Sequence, residues 1–353
     1  MYFGKIIDED IQRVIDSEYI DWEIFRNSNF LITGSTGLIG SALARTLMVQ
    51  KRKVKDTGKL YLLVRSEDKA RLLFGDELDR DDVIILKGDI RDKIVVNNKI
   101  DYIVHAASTT TSKYMVTNPV ETLMTSVSGT DNILQLAVEH NVKSMVYLSS
   151  MEMYGSVALN QNPITEEKSG YIDVLKVRSS YSEGKRACEN LCASYAVEYN
   201  VPVVIARLSQ IFGAGVNKNE TKVYASFAKS AINGDDIILH TKGETMGNYC
   251  YISDCIGALL CLLSRGKVGE AYNVVNDKNT MLIREMAKIV VETLGKGKSK
   301  VEFNIPSDIS LYGYAPETKL ELSGDKIRKL GWKPQINMVE MYKRMVQAWK
   351  TDK

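Results

Sequence analysis

Few folds are open to a chain in which Phe30-Leu31-Ile32 runs directly into Thr33-Gly34-Ser35-Thr36-Gly37-Leu38-Ile39-Gly40. A short apolar run of this kind suits a strand buried on both faces. Gly34 permits a tight turn, Gly37 lets the backbone approach a pyrophosphate, and Gly40 lets the following helix, Ser41 to Met48, pack closely on the strand. The N–H groups that open that helix lack intrahelical acceptors and favour an anion. Thr36, Leu38 and Ile39 share the turn with the glycines and complete the candidate contacts to a dinucleotide. The plainer alternative is a glycine-rich loop with no ligand. The strand before it and the helix after it favour the nucleotide.

The same rhythm continues. Lys59 to Val64 reads as a second strand, and Val83 to Leu86 as a third, ending in Gly88-Asp89-Ile90-Arg91-Asp92. Tyr102 to His105 is a fourth, followed by Ala106-Ala107-Ser108 and a threonine-rich loop. A helix from about Val120 to Asn141 leads to Ser144–Leu148, a strand ending at Ser149-Ser150. A helix carrying Tyr181 and Lys185 then precedes the strand Val203–Ala206. Short apolar runs alternating with helices predict an α/β fold, a doubly wound parallel sheet covered on both faces. Residues 5–29 read as an amphipathic helical lead-in, with Ile7, Ile11, Val14 and Ile15 at helical spacing before Trp22 and Phe25. Past Gly215 the rhythm breaks into amphipathic helices at 282–295 and 337–350 around an irregular stretch containing Pro306 and Pro316. The expected division is an N-terminal appendage (1–29), a nucleotide-binding domain (30–215, rejoined by 250–278) and a smaller discontinuous C-terminal lobe (216–249 and 279–353). That lobe closes over the strand ends, where such sheets bind ligands.

Composition narrows the partners. The 353 residues carry 46 basic and 44 acidic side chains, a net charge of +2, so nothing asks for a nucleic acid. Five cysteines, an odd number with no Cys-x-x-Cys, fit a reduced compartment. His105, His140 and His240 are widely separated, so no metal site is expected. Met1 to Asp10 lacks a basic-then-apolar leader, and no run approaches the roughly 18 apolar residues of a spanning helix. The expectation is a cytoplasmic protein with no membrane partner.

The chemistry is concentrated in Ser180-Tyr181-Ser182-Glu183-Gly184-Lys185. A phenol is a poor base near neutral pH, its ordinary pKa being about 10. An ammonium one helical turn away lies on the same helix face and is expected to favour the phenolate. Ser150, about thirty residues upstream at a strand end, adds a hydroxyl for the same substrate oxygen. An ordinary exposed helix pair is the alternative for any Tyr-x-x-x-Lys. A dinucleotide turn, a hydroxyl and a tyrosine–lysine pair together describe hydride transfer at a carbinol or carbonyl. Glu152, two residues past Ser150, is placed either to take a proton beside a carbonyl or simply to bond the loop. At the end of the second strand Arg65 stands where an acidic residue would accept a ribose hydroxyl, and a guanidinium suits a 2′-phosphate. NADP(H) is therefore favoured, with NAD(H) as the alternative. Asp89 and Ile90 would flank the adenine, and Ala106, Ala107 and Ser108 would line the cofactor near the nicotinamide ribose.

This set of motifs resembles the extended short-chain dehydrogenase/reductases, the NAD(P)-dependent epimerase/dehydratase family acting on nucleotide-diphosphate sugars. The likeness runs from Phe30 to Trp349 and includes Arg207 to Gly213, Tyr251-Ile252-Ser253-Asp254, Ala271-Tyr272-Asn273-Val274 and Leu330-Gly331-Trp332-Lys333-Pro334. The run Tyr181 to Arg186, taken with Glu152, is most similar to UDP-glucuronate decarboxylases. The resemblance implies a Rossmann-type domain and homodimers. It also implies C4 chemistry in which Tyr181 takes the hydroxyl proton, Ser150 steadies the oxygen, and Lys185 holds the nicotinamide ribose. Thr110, Ser150 and Gln210 are then the substrate contacts. Met151 stands where 4,6-dehydratases carry an aspartate, Gly247 where decarboxylases and many epimerases carry an arginine, and Gln210 where an asparagine usually meets the diphosphate. These departures put 4-epimerisation or keto reduction slightly ahead of dehydration or decarboxylation, while Glu152 pulls toward the latter pair. A ketoreductase of non-sugar carbonyls and a redox-sensing dinucleotide binder are the rival classes.

Overall fold

The computed structural model describes residues 3–306 and 318–351. Six parallel strands follow the expected order: β1 (Phe30–Thr33), β2 (Leu60–Val64), β3 (Val83–Lys87), β4 (Tyr102–His105), β5 (Ser144–Ser150) and β6 (Val203–Leu208). Ala271–Val274 adds a seventh beside β6, giving the spatial order β3-β2-β1-β4-β5-β6 and then Ala271–Val274. All six pairings are parallel, with Phe30 opposite both Leu60 and Tyr102. Strand order reverses between β1 and β4, and that switch point opens the crevice in which such sheets bind ligands.

Alternation explains the two layers. Phe30, Ile32, Leu60, Leu62, Val104, Val146 and Leu148 face one hydrophobic cluster, while Leu31, Tyr61, Leu63, Ile103, Met145 and Tyr147 face another. Successive strand side chains point to opposite faces, so a run apolar at every position needs a cover on each. The first face is covered by the helices Leu38–Val54 and Ile252–Arg265, the second by Pro119–His140 and Ser179–Glu198. Each aliphatic side chain so buried stabilises the fold by about 1.5–3 kcal/mol.

The lead-in differs from a single helix. Lys5–Ile15 is helical, and the chain then turns through a short 3₁₀ segment, Trp22–Phe25. Phe25 packs edge-on against Phe30 and Tyr102, with ring centroids 5.6 and 5.0 Å apart, so this segment closes the bottom of the sheet. Ile6, Ile7, Ile11 and Ile15 meet Ala214 and Ala348, which brings the N-terminal helix against the C-terminal helix Met338–Thr351. Beyond β6 the expected helices appear at Ile283–Leu294 and Met338–Thr351, and a further helix spans Val223–Asn233. Short strand pairs link them, Gln210–Phe212 with Tyr249–Tyr251 and Ile237–Leu239 with Val301–Phe303. Pro316 lies outside the described residues. No helix among the described residues is long and apolar enough to cross a membrane.

Candidate active site

The glycine turn is built as its sequence requires. Gly34 adopts φ +64°, and a Cβ there would lie 2.8 Å from the Ala106 carbonyl. A Cβ on Gly40 would overlap the Gly34 carbonyl oxygen, so helix and turn touch backbone to backbone. Gly37 is the N-cap of Leu38–Val54 and no side chain caps that helix. The first-turn N–H groups of Leu38, Ile39 and Gly40 therefore face the crevice without an intrahelical acceptor. Ser35 Oγ donates to the Leu63 carbonyl at 2.9 Å and pins the turn to β2. A diphosphate fits this cradle through backbone N–H groups alone.

A second wall comes from β4. The Ala107 N–H donates to Thr33 Oγ1 at 3.1 Å, Thr33 Oγ1 lies 2.8 Å from His105 Nδ1, and His105 Nε2 lies 3.2 Å from Thr130 Oγ1. Burial and the charge of Lys185 push the His105 imidazole down to about 3, so a neutral ring bridges two hydroxyls. The chain Ala107–Thr33–His105–Thr130 fixes the turns after β1 and β4 against each other. Nothing in the spacing of His105 along the chain signals this role.

At the outer end of the cradle, β2 and β3 place Arg65 beside Asp89. The Gly88 N–H donates to the Val64 carbonyl, and the Arg65 charge is among those that favour ionised Asp89. Asp89 is held mainly by Arg91, whose Nε donates to it at 2.9 Å, which keeps the carboxyl below its ordinary range. Ile90 is buried, and a Cβ on Gly129 would lie 2.9 Å from it.

Tyr181, Lys185, Ser150 and Ser108 come together at the ends of β4 and β5. The Ser150 and Ser108 side chains lie beside the Tyr181 phenol and oppose the rise in its pKa. Lys185 is buried, donates from Nζ to the Leu148 carbonyl at 2.6 Å, and lies 5.7 Å from the Tyr181 ring centroid. Ser108 thus reaches the phenol itself, a contact the spacing did not signal. One expectation is corrected. Burial, reinforced by the charge of Glu152, pushes the Tyr181 phenol up to about 12 rather than down. Burial also pushes the Lys185 amine down to about 8, so helical spacing alone does not acidify the phenol.

Glu152 lies beside this group. Its N–H donates to Ser150 Oγ at 3.2 Å, and both its carboxylate oxygens accept from Arg178 Nη2, at 3.1 and 2.9 Å. The Arg178 guanidinium lies 5.8 Å from the Tyr181 ring centroid. Arg178 had not been singled out, although it stands three residues before Tyr181 on the same stretch of chain.

The remaining substrate candidates are not drawn into the cluster. Thr110 is exposed, and among the described residues no hydrogen bond joins it to Tyr181 or Ser150. The Gln210 N–H donates to the Asn248 carbonyl at 2.9 Å, in the strand pair that also holds Tyr249. A Cβ on Gly247 would overlap the Tyr249 hydroxyl, so a side chain there would have to displace that ring.

Residues 30–275 match the model of the NAD dependent epimerase/dehydratase family. UDP-glucuronic acid decarboxylase 3 of Arabidopsis thaliana is 26% identical over 315 residues, covering 89% of this chain and 86% of the relative. The structure of dTDP-glucose 4,6-dehydratase from Bacillus anthracis, in complex with NAD, is similar at a TM-score of 0.72 and 21% identity, over 92% of this chain and 96% of that one. UDP-glucose 4-epimerase from Thermotoga maritima superimposes at a TM-score of 0.74 and 19% identity, over 91% of this chain and 98% of that one. The two structures share the fold, and the family model covers well over half of the sequence. On that match, the chain belongs to the NAD dependent epimerase/dehydratase family.

Proposed function

We propose that this enzyme oxidises C4 of a nucleotide-diphosphate sugar and returns the hydride, giving a 4-epimer, or runs the reductive half of that chemistry on a 4-keto sugar. The observation that carries the reading is the meeting of Tyr181 with buried Lys185, 5.7 Å from its ring, beside the Ser150 and Ser108 side chains. Tyr181 accepts the C4 hydroxyl proton and gives it back, and Ser150 holds the same oxygen in line. Lys185 supplies positive charge beneath the ring and would hold a ribose hydroxyl of the cofactor. A nicotinamide bound along the glycine turn supplies the hydride acceptor and donor. Leu38, Ile39 and Gly40 would hold its diphosphate, Ala106 and Ala107 its ribose side, and Asp89 and Ile90 its adenine. Arg65 at the end of β2 supports NADP(H) over NAD(H), since its guanidinium suits a 2′-phosphate.

Two observations favour hydride return over elimination. Met151 carries a thioether where a dehydratase needs an acid for the departing hydroxyl. Gly247 offers no arginine for a sugar carboxylate, and the Tyr249 hydroxyl occupies the space beside it. The segments 216–249 and 279–353 would form the sugar-nucleotide lobe, with Gln210 and Thr110 at its edge, and the soluble enzyme would act in the cytoplasm as a homodimer.

The test is product analysis by mass spectrometry and NMR after incubation with UDP-, dTDP-, CDP- and GDP-sugars and either cofactor. Unchanged mass with inverted C4 couplings, or net NADPH consumption with a gain of two hydrogens, is the expected result. Loss of water or of carbon dioxide from any of these sugars would overturn it.

A further inference from the structure

Hydride return uses no base at C5, yet Glu152 stands beside the residues that handle the C4 oxygen. Once C4 is a ketone, the C5 proton is acidic, and a carboxylate two residues past Ser150 is placed to take it. Such a step would lead toward elimination or scrambling at C5. The structure gives that carboxylate a partner. Arg178 Nη2 donates to Oε1 at 3.1 Å and to Oε2 at 2.9 Å, while among the described residues its Nε and Nη1 have no hydrogen-bond acceptor. The same guanidinium lies 5.8 Å from the Tyr181 ring, so the pair forms part of the wall around the reacting carbon.

We infer that Arg178 is a product-determining positioning residue, which clamps Glu152 against proton abstraction at C5 and so commits the 4-keto sugar to hydride return. This rests on the C4 reading above. Protonating either carboxylate oxygen forfeits a charge-assisted hydrogen bond to Arg178. Both side chains are 38% exposed, and a pair that wet is worth little on its own. A bound sugar displaces that water and strengthens the pair when the C5 proton is at risk. Without the clamp, Glu152 takes the C5 proton and the C5–H electron pair moves onto the C4 oxygen as an enolate. Return of a solvent-exchanged proton from Glu152 to C5 restores the ketone, so the cycle consumes nothing and leaves an isotope mark.

The experiment follows deuterium at C5 by NMR, in D2O with added NADP+ or NAD+, on whichever sugar of the UDP-, dTDP-, CDP- and GDP-sugar panel the enzyme converts. The intact enzyme is expected to invert C4 with no deuterium at C5. Arg178→Gln should raise C5 deuterium per C4 turnover by roughly a hundredfold, whatever its kcat, the low end for a working general base. Arg178→Gln combined with Glu152→Gln should lose that exchange again, which a merely structural role for Arg178 would not produce. Arg178→Lys, which keeps a cation, should exchange less than Arg178→Gln. C5 deuterium in the intact enzyme, or C4 turnover in Arg178→Gln with C5 still protium, overturns the clamp and leaves C4 chemistry standing. Conversion of no sugar in that panel removes the C4 reading and the clamp with it.

Discussion

Tyr181 has to give up a proton at one moment and hold it at another, yet burial leaves its phenol at about 12. The hydroxyls of Ser150 and Ser108 oppose that shift, and the positive charge below it is Lys185, itself pushed by burial down to about 8. Tyr181→Phe should abolish turnover while cofactor affinity stays within about twofold, because the ring remains and only the proton carrier is lost. Equal activity in that variant, measured by product NMR, would remove Tyr181 from the mechanism. Lys185 also carries a stability cost. Its amine titrates near 8 in the fold against 10.5 in the unfolded chain, so the unfolded chain binds more protons between those values. Stability should therefore rise as pH increases from about 8 to 10.5, the neutral amine being the form the site prefers. Lys185→Met should lose activity, gain about 1–3 kcal/mol at pH 7, and show no such rise in urea melts. A variant less stable than the parent at pH 7 would refute the cost. Tyr181, Lys185 and Ser150 were legible because their spacing is local and their chemistry unusual. Ser108 and Arg178 were not, since their reach to the phenol depends on how two strand ends are set side by side.

At the scale of elements, the turn between β1 and its helix is the most constrained joint. Gly40→Ala would drive a methyl group into the Gly34 carbonyl, so the helix must shift or the turn must open. We expect about 2–4 kcal/mol of lost stability and at least tenfold weaker nucleotide binding by calorimetry, since the cradle and the packing share the same atoms. Unchanged affinity would mean that the turn does not carry the diphosphate. The end of β2 offers a gentler probe. Arg65→Ala should weaken NADP(H) by about tenfold more than NAD(H), because only the 2′-phosphate loses a charged partner. Equal losses would return Arg65 to the surface. The six strands, the glycine turn and the long helices could be read from apolar runs, the glycine motif and helical spacing. Short pairings such as Gln210–Phe212 with Tyr249–Tyr251 could not, because three residues hold too little pattern to separate strand from loop. The crowding at position 247 was hidden for the same reason: the sequence displays a glycine, but only the pairing brings the Tyr249 hydroxyl over it.

Over the whole molecule, the N-terminal helix is tied to the C-terminal one by a contact that no local window contains. Arg344 donates from Nε to Asp10 Oδ1 at 3.0 Å and from Nη2 to the Ile6 carbonyl at 3.2 Å, and Tyr251 Oη donates to Asp10 Oδ2 at 2.6 Å. Asp10 and Arg344 side chains are each 8% exposed. The helical spacing of Ile7, Ile11 and Ile15 marked the buried face of the first helix, but a buried aspartate there reads as a mistake until its partner, 334 residues away, is in place. Arg344→Met should leave that carboxylate buried without its cation and cost about 3–5 kcal/mol at pH 7.5. Asp10→Asn together with Arg344→Met should cost far less, because no charge is then stranded. The pH dependence has a defined sign. Burial holds the Asp10 carboxyl at about 6 against the pull of Arg344, above its ordinary 3.8, so its protonated form stabilises the fold at low pH and that contribution disappears as pH rises through 6. Arg344→Met should accordingly recover part of its loss between pH 7.5 and pH 5, read from urea midpoints, whereas the double variant should show no such recovery. Equal midpoints for the single and double variants at pH 7.5 would mean that the buried pair holds nothing the surrounding apolar contacts do not. The first helix also packs beside Leu38 and Ser41, so loosening it should reach the nucleotide cradle and lower cofactor affinity in step with stability.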